Sequence, residues 1–256
     1  MARPLAAVFD LDGTLVDNMT FHGDAWLRAA QRLGSDATRH QFEKVWAGKK
    51  ADEIFTMLLG RPVEAAEAAR LEQEKEADYR AAYGPRLAPM PGLLDFLDRL
   101  AAAGVRLAVA TAAPRGNREL VLGRLGLFER FEVVVGTEEV TRGKPAPDLF
   151  LAAAAKLGVP GERCLAFEDA VNGVRAARAA GMEAVGVLTA EPAEALTAVG
   201  AAWLLRDYTA LPPALEALLF GAPAPARHPV QLPDGRRLTH YPFPGPPPGP
   251  PPSEEG

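Results

Sequence analysis

Short apolar runs recur along the chain at 6–9, 106–110, 133–135, 164–167 and 184–187, with a weaker one at 203–205. Each is too short for a helix and is bounded by Gly, Pro or polar residues, the pattern of a strand buried on both faces of a parallel sheet. Segments of helical periodicity lie between them, at 92–103, 117–125, 147–157, 170–180 and 193–199. Strand alternating with helix predicts an α/β fold, a doubly wound parallel sheet with right-handed crossovers. One interval breaks the alternation: from 18 to 87 only amphipathic helical patterns occur, at 21–33, 52–59 and 64–83. This interval reads as a helical cap inserted into a core made of 1–17 and 88–220. Two turn-prone segments, Asp17-Asn18-Met19 and Ala88-Pro89-Met90-Pro91-Gly92, mark its edges and are expected to lie close together and serve as a hinge.

After Gly221 the pattern disappears, and 242–252 is so rich in proline that neither a helix nor a central strand can form there. Residues 221–256 are expected to be a disordered tail without catalytic residues, with a proline-recognition ligand as the narrower alternative. Composition mainly excludes. With 48% hydrophobic and 24% charged residues in a length of 256, the chain is an ordinary globular one with room for a full core. A net charge of -5 without a basic cluster argues against a nucleic-acid surface. No apolar run approaches the ~20 residues of a membrane span and no signal-peptide pattern opens the chain, so a cytoplasmic monomer without membrane partners is expected. The single cysteine, Cys164, excludes a disulfide framework and reads as a small buried hydrophobe.

The chemistry gathers at strand ends. The first strand runs into Asp10-Leu11-Asp12-Gly13-Thr14, two carboxylates one residue apart followed by a tight turn. Alternation would send Asp10 and Asp12 to opposite faces, but the turn at Gly13 can bring both to one crevice. Paired there, they imply a cation, a shared proton or a division of labour; the plain alternative is a solvated Asp-Gly turn. Three later segments suit the first. Thr111 ends the second strand with a hydroxyl able to donate to a phosphoryl oxygen. Lys144 stands between Gly143 and Pro145, just before a helix start. Glu168 and Asp169 end the strand that contains Cys164.

Asp-x-Asp-Gly-Thr, a strand-end Thr, Gly-Lys-Pro and Glu-Asp, in this order and in four separate loops, resemble the haloacid dehalogenase superfamily, in the branch with a small helical cap that holds β-phosphoglucomutase and many sugar phosphatases. The resemblance covers about 4–211. It implies that Asp10 is a nucleophile forming an aspartyl phosphate and that Asp12 is the general acid and base. Thr111 and Lys144 would hold the transferring phosphoryl group, while Asp10, the Asp12 carbonyl, Glu168 and Asp169 would surround Mg²⁺. Carboxylate and water oxygens suit Mg²⁺, and no His/Cys cluster favours zinc.

In the cap, His22 and Trp26 are one helical turn apart, and Lys75 and Tyr79 match the mutase branch's Lys-x-x-x-Tyr pattern. The arginine with which that branch grips a distal phosphate falls on Ala51, leaving Lys49 or Lys50 to substitute with a point charge rather than a fork. Arg115 and Asn117 are further candidates for contacting phosphate. The expectation is a Mg²⁺-dependent phosphatase acting on a small phosphorylated metabolite, a sugar phosphate. The alternatives are β-phosphoglucomutase and, from a different class, a catalytically silent binding protein.

Overall fold

A computed structural model describes residues 3–42, 51–221, 230–231 and 237–238. Within 3–221, six strands form one parallel sheet: β1 Ala6–Phe9, β2 Arg106–Ala110, β3 Val133–Val135, β4 Cys164–Glu168, β5 Glu183–Val187 and β6 Ala201–Leu205. Their spatial order is β3-β2-β1-β4-β5-β6. The chain thus winds outward from β1 to one side and then returns to β1's other side, which opens a crevice at the carboxyl end of β1.

The central strands β1, β2, β4 and β5 are buried on both sides, the edge strands β3 and β6 only in part, and alternate residues feed two separate cores. Ala6, Val8, Ala108, Ala110, Cys164 and Ala166 face one; Ala7, Phe9, Leu107, Val109, Leu165 and Phe167 face the other. The small side chains of the first face let helices α6 Asp148–Leu157 and α7 Val171–Ala179 lie close to the sheet. The second face is aromatic: Phe9 stacks on Phe167 with ring centres 4.4 Å apart and planes within 9°. Helices α4 Leu93–Ala102 and α5 Arg115–Arg124 complete this side. The sheet side also carries α8 Ala193–Ala198 and α9 Pro213–Phe220. Cys164 is buried as expected, and desolvation pushes its thiol up to about 11, away from reactivity.

Between β1 and α4 the described residues form helices α1 Met19–Arg32, α2 Ala51–Leu59 and α3 Ala65–Tyr83, with a further helical stretch at 39–42. They have a small core of their own, built from Ala29, Ala30, Phe42, Ile54, Phe55, Leu58 and Leu71. The segments leading in and out run side by side, the Met90 amide donating to the Leu15 carbonyl at 2.9 Å. Beyond Gly221, Val230–Gln231 pairs antiparallel with Arg237–Leu238, a short ladder in a stretch read from sequence as tail. The proline-rich 242–252 stretch lies outside the described residues. Among the described residues no helix is long and apolar enough to cross a membrane.

Candidate active site

Register brings the chemistry together. Phe9 lies opposite Val109 on one side and Phe167 on the other, so the next residues, Asp10 from β1 and Glu168 from β4, leave the sheet at one level. The Asp10 amide still donates to the Phe167 carbonyl at 3.0 Å. Asp10, Glu168 and Asp169 are all buried, and one carboxylate oxygen from each lies within 4.8 Å of the others. Lys144, from the β3–α6 connection, donates to Asp10 Oδ1 at 2.5 Å and to Glu168 Oε1. Glu168 also accepts from the Ala170 amide at 3.3 Å.

Two glycines make the close approach possible. At Gly13, where φ is +73°, a Cβ would lie 1.9 Å from Asp169 Oδ2. At Gly173, in the first turn of α7, a Cβ would fall 1.9 Å from the Glu168 carboxyl carbon. Thr189, after β5, secures the same corner by donating to the Gly13 carbonyl at 2.5 Å, with its hydroxyl 3.5 Å from Asp169 Oδ2.

Three carboxylates against one ammonium leave the cluster short of positive charge. Burial, with the repulsion of Glu168 and Asp12, pushes Asp10 up to about 7 although Lys144 opposes it. Burial and the neighbouring Glu168 and Asp10 likewise hold Asp169 well above the usual carboxylate range. Burial works against the charge on Lys144, yet Asp10 and Glu168 outweigh it and raise its pKa. An all-oxygen donor set with surplus negative charge fits Mg²⁺.

A carboxyl that folding makes easier to protonate stabilises the fold at low pH and withdraws that stability as the pH rises through its folded value. For Asp10 the window runs from 3.8 to about 7. At roughly 1.4 kcal/mol per pKa unit, its ionisation withdraws on the order of 4 kcal/mol from the metal-free fold. In the presence of a chelator, Asp10→Asn should therefore be more stable than the parent at about pH 8 and no more stable at about pH 4. Urea melts at both pH values check this, and parallel curves for the two proteins would contradict it.

Asp12 turns the other way, toward the inserted helices. Its Oδ1 accepts from Asn18 Nδ2 at 2.6 Å, and its Oδ2 lies 3.4 Å from His22 Nε2. Burial disfavours its charge, but His22, Asn18 and Lys75 together hold its carboxyl below the ordinary value. Asp10 and Asp12 are thus pushed in opposite directions, a separation suited to different tasks. The His22 ring stacks on Tyr79 at 3.9 Å, and Lys75 Nζ lies 3.3 Å from His22 Nδ1 and 4.9 Å above the Trp26 ring. Trp26 also packs on Phe42 and Phe55, so it is part of the insertion's own core as well.

Thr111 is buried on the other flank of Asp10. Its Oγ1 accepts from the Ala113 amide at 3.1 Å, which leaves the hydroxyl proton free to be donated. Asn117 is buried, with its amide engaged by Glu76 and Arg80. Arg115 is not among the residues brought together: its guanidinium is exposed and paired with Glu119 one turn on. Lys49 and Lys50 lie outside the described residues.

A profile of the haloacid dehalogenase-like hydrolases matches residues 5–181. The chain belongs to that family. Among its relatives, β-phosphoglucomutase of Bacillus subtilis is 31% identical over 194 residues, 73% of this chain and 84% of the relative. The fructose-1-phosphate phosphatase YqaB of Escherichia coli is 34% identical over 188 residues, 72% of this chain and 97% of that protein. A crystal structure of a CbbY mutant from Rhodobacter sphaeroides in complex with xylulose-(1,5)bisphosphate superposes with a TM-score of 0.68 at 29% identity, covering 80% of this chain and 95% of that one.

In this haloacid dehalogenase-like hydrolase, sequence reasoning gave no role to Asn18, Glu76, Arg80 or Thr189. Asn18 stands where a helix N-cap is common, but its amide does not cap α1. Its Oδ1 accepts from the Gly13 amide at 3.1 Å and its Nδ2 also reaches Tyr79 Oη at 2.6 Å.

Proposed function

We propose that this hydrolase releases phosphate from a small phosphorylated metabolite, a sugar phosphate, through an aspartyl phosphate on Asp10. The observation that carries the reading is the division between two aspartates: Asp10 beside Lys144, Glu168 and Asp169, and Asp12 held apart by His22 and Asn18. An Asp10 carboxylate oxygen attacks phosphorus, the bond to the sugar oxygen breaks, and Asp12 gives that oxygen its proton. Asp12 is then ionised, the form its neighbours favour, and takes a proton from the water that attacks phosphorus and frees Asp10. Lys144 and the Thr111 hydroxyl neutralise and orient the transferring group in this reading, which the Lys144 contact with Asp10 and the free Thr111 hydroxyl proton support. Asp10, Glu168, Asp169 and the Asp12 carbonyl would hold Mg²⁺, which when bound offsets the charge of phosphate and carboxylates alike.

Among the described residues, which leave out Lys49 and Lys50, the insertion supports hydrolysis over transfer to a second sugar hydroxyl. Lys75, its buried cation beside His22, is neutralised by Glu76 at 2.7 Å, and Ala51 brings no charge. A mutase must keep a bisphosphate bound while it turns round, which calls for a second phosphate grip. The mutase reading has its own support: His22, Trp26 and Lys75 do converge, and β-phosphoglucomutase is among the relatives.

A panel of phosphorylated metabolites should show phosphate release with Mg²⁺ and none after chelation; release unaffected by chelation would contradict the metal assignment. Incubation with β-glucose 1-phosphate and a trace of glucose 1,6-bisphosphate separates the two readings. Rapid glucose 6-phosphate formation with little free phosphate would promote the mutase.

A further inference from the structure

Both ends of the Asn117 amide are taken by the insertion. Nδ2 donates to Glu76 Oε2 at 2.8 Å, and Oδ1 accepts from Arg80 Nη1 at 3.0 Å. Asn117 is in the first turn of α5, anchored to the sheet, and is fully buried. Glu76 and Arg80 are one turn apart on α3 and so present one face to it. A buried side chain whose donor and acceptor are both matched fixes orientation as well as distance, because losing either partner leaves a polar atom unpaired.

Glu76 has a second contact. Its other oxygen accepts from Lys75 Nζ, the ammonium that lies 3.3 Å from His22 Nδ1. An ammonium only donates, so His22 Nδ1 is the acceptor and the ring proton sits on Nε2, the atom facing Asp12 Oδ2. The contacts are continuous from Asn117 on the sheet side, through Glu76, Lys75 and His22, to Asp12. Without Glu76 the Lys75 ammonium loses its fixed counter-charge and keeps, among the contacts described, only the Trp26 ring to hold it against the imidazole.

We propose that Glu76 is a positioning residue that joins the docking of the inserted helices on α5 to the orientation of His22 beside Asp12. Asn117 is the sheet domain's half of that contact, and Arg80 holds its amide the right way round. The kinetic consequence rests on the phosphatase reading; the placement of His22 does not.

Two measurements on the full chain test it. Long-range proton–nitrogen NMR of the histidine rings, with His22 identified by its loss in His22→Gln, should show the Nε2-protonated tautomer in the parent protein and a mixture in Glu76→Ala. An unchanged His22 signal in Glu76→Ala would overturn the proposal. In kinetics, Glu76→Ala should lower kcat/KM for the best panel substrate by about 10–100-fold while circular dichroism stays unchanged. Asn117→Asp should do the same, by setting two carboxylates against each other. The double variant Asn117→Asp/Glu76→Gln exchanges donor and acceptor, keeps acceptors for Lys75 and Arg80, and should return the rate to within about threefold of the parent. A double variant no better than Asn117→Asp would also overturn the proposal. Should the parent protein release phosphate from no panel member, the phosphatase reading fails while the tautomer measurement still decides this one.

Discussion

A protein carrying Asp10→Asn is expected to release no measurable phosphate from any substrate the parent consumes, a loss of roughly 10⁴-fold or more, as when a nucleophile is removed. The amide has the size of the carboxyl but does not attack phosphorus. The fold should survive, because Lys144 keeps Glu168 as its partner and Phe9, directly before Asp10, remains stacked in the aromatic core. The substitution also removes one of three crowded carboxylates, so the inactive protein should be the more stable one in chelator at neutral pH. Phosphate release measured beside circular dichroism separates the two effects. Full activity in Asp10→Asn would reject Asp10 as nucleophile.

The second large effect is expected at Asp12. Asp12→Ala should slow both the formation and the loss of the aspartyl phosphate by roughly 10²–10⁴-fold, the usual worth of a positioned acid and base. Its loop should hold, since Asn18 retains the Gly13 amide and the Tyr79 hydroxyl, and Thr189 retains the Gly13 carbonyl. Substrate binding should change little, because Asp12 is not among the groups proposed to grip phosphate. Single-turnover kinetics under saturating Mg²⁺ check this, and parent rates in Asp12→Ala would reject the role.

The sheet was legible in the chain because each strand is a short apolar run closed by a turn, a signal local to the strand. The β6 strand extends two residues before the run at 203–205: Ala201 gains strand geometry by pairing with Ala184 of β5, and Ala202 falls in the register shift that follows, neither from its own propensity. Helix α9 at Pro213–Phe220 was missed: it is short, starts at two consecutive prolines, and is nearly all apolar, so it shows little periodicity. In the site, Asp10, Lys144, Glu168 and Asp169 were readable because each stands next to a strand end or a Gly-Pro frame. Glu76, Arg80 and Asn18 were not. On a charged helix such as α3, a Glu next to a Lys looks like any solvated pair until the fold buries it, and only tertiary contact shows that Glu76 faces Asn117. Arg115 shows the converse, a cation in a promising loop that the first turn of α5 directs to solvent.

The central claim is a covalent phosphate on Asp10, and trapping it is the most direct measurement. The Asp12→Ala protein, mixed with Mg²⁺ and a substrate from the panel, is quenched and treated with borohydride, which reduces an aspartyl phosphate to homoserine. Peptide mass mapping should find homoserine at position 10 in that sample and aspartate there in a control without substrate. Unmodified Asp10 in a sample that has released phosphate, or the modification at another carboxylate, would contradict the account.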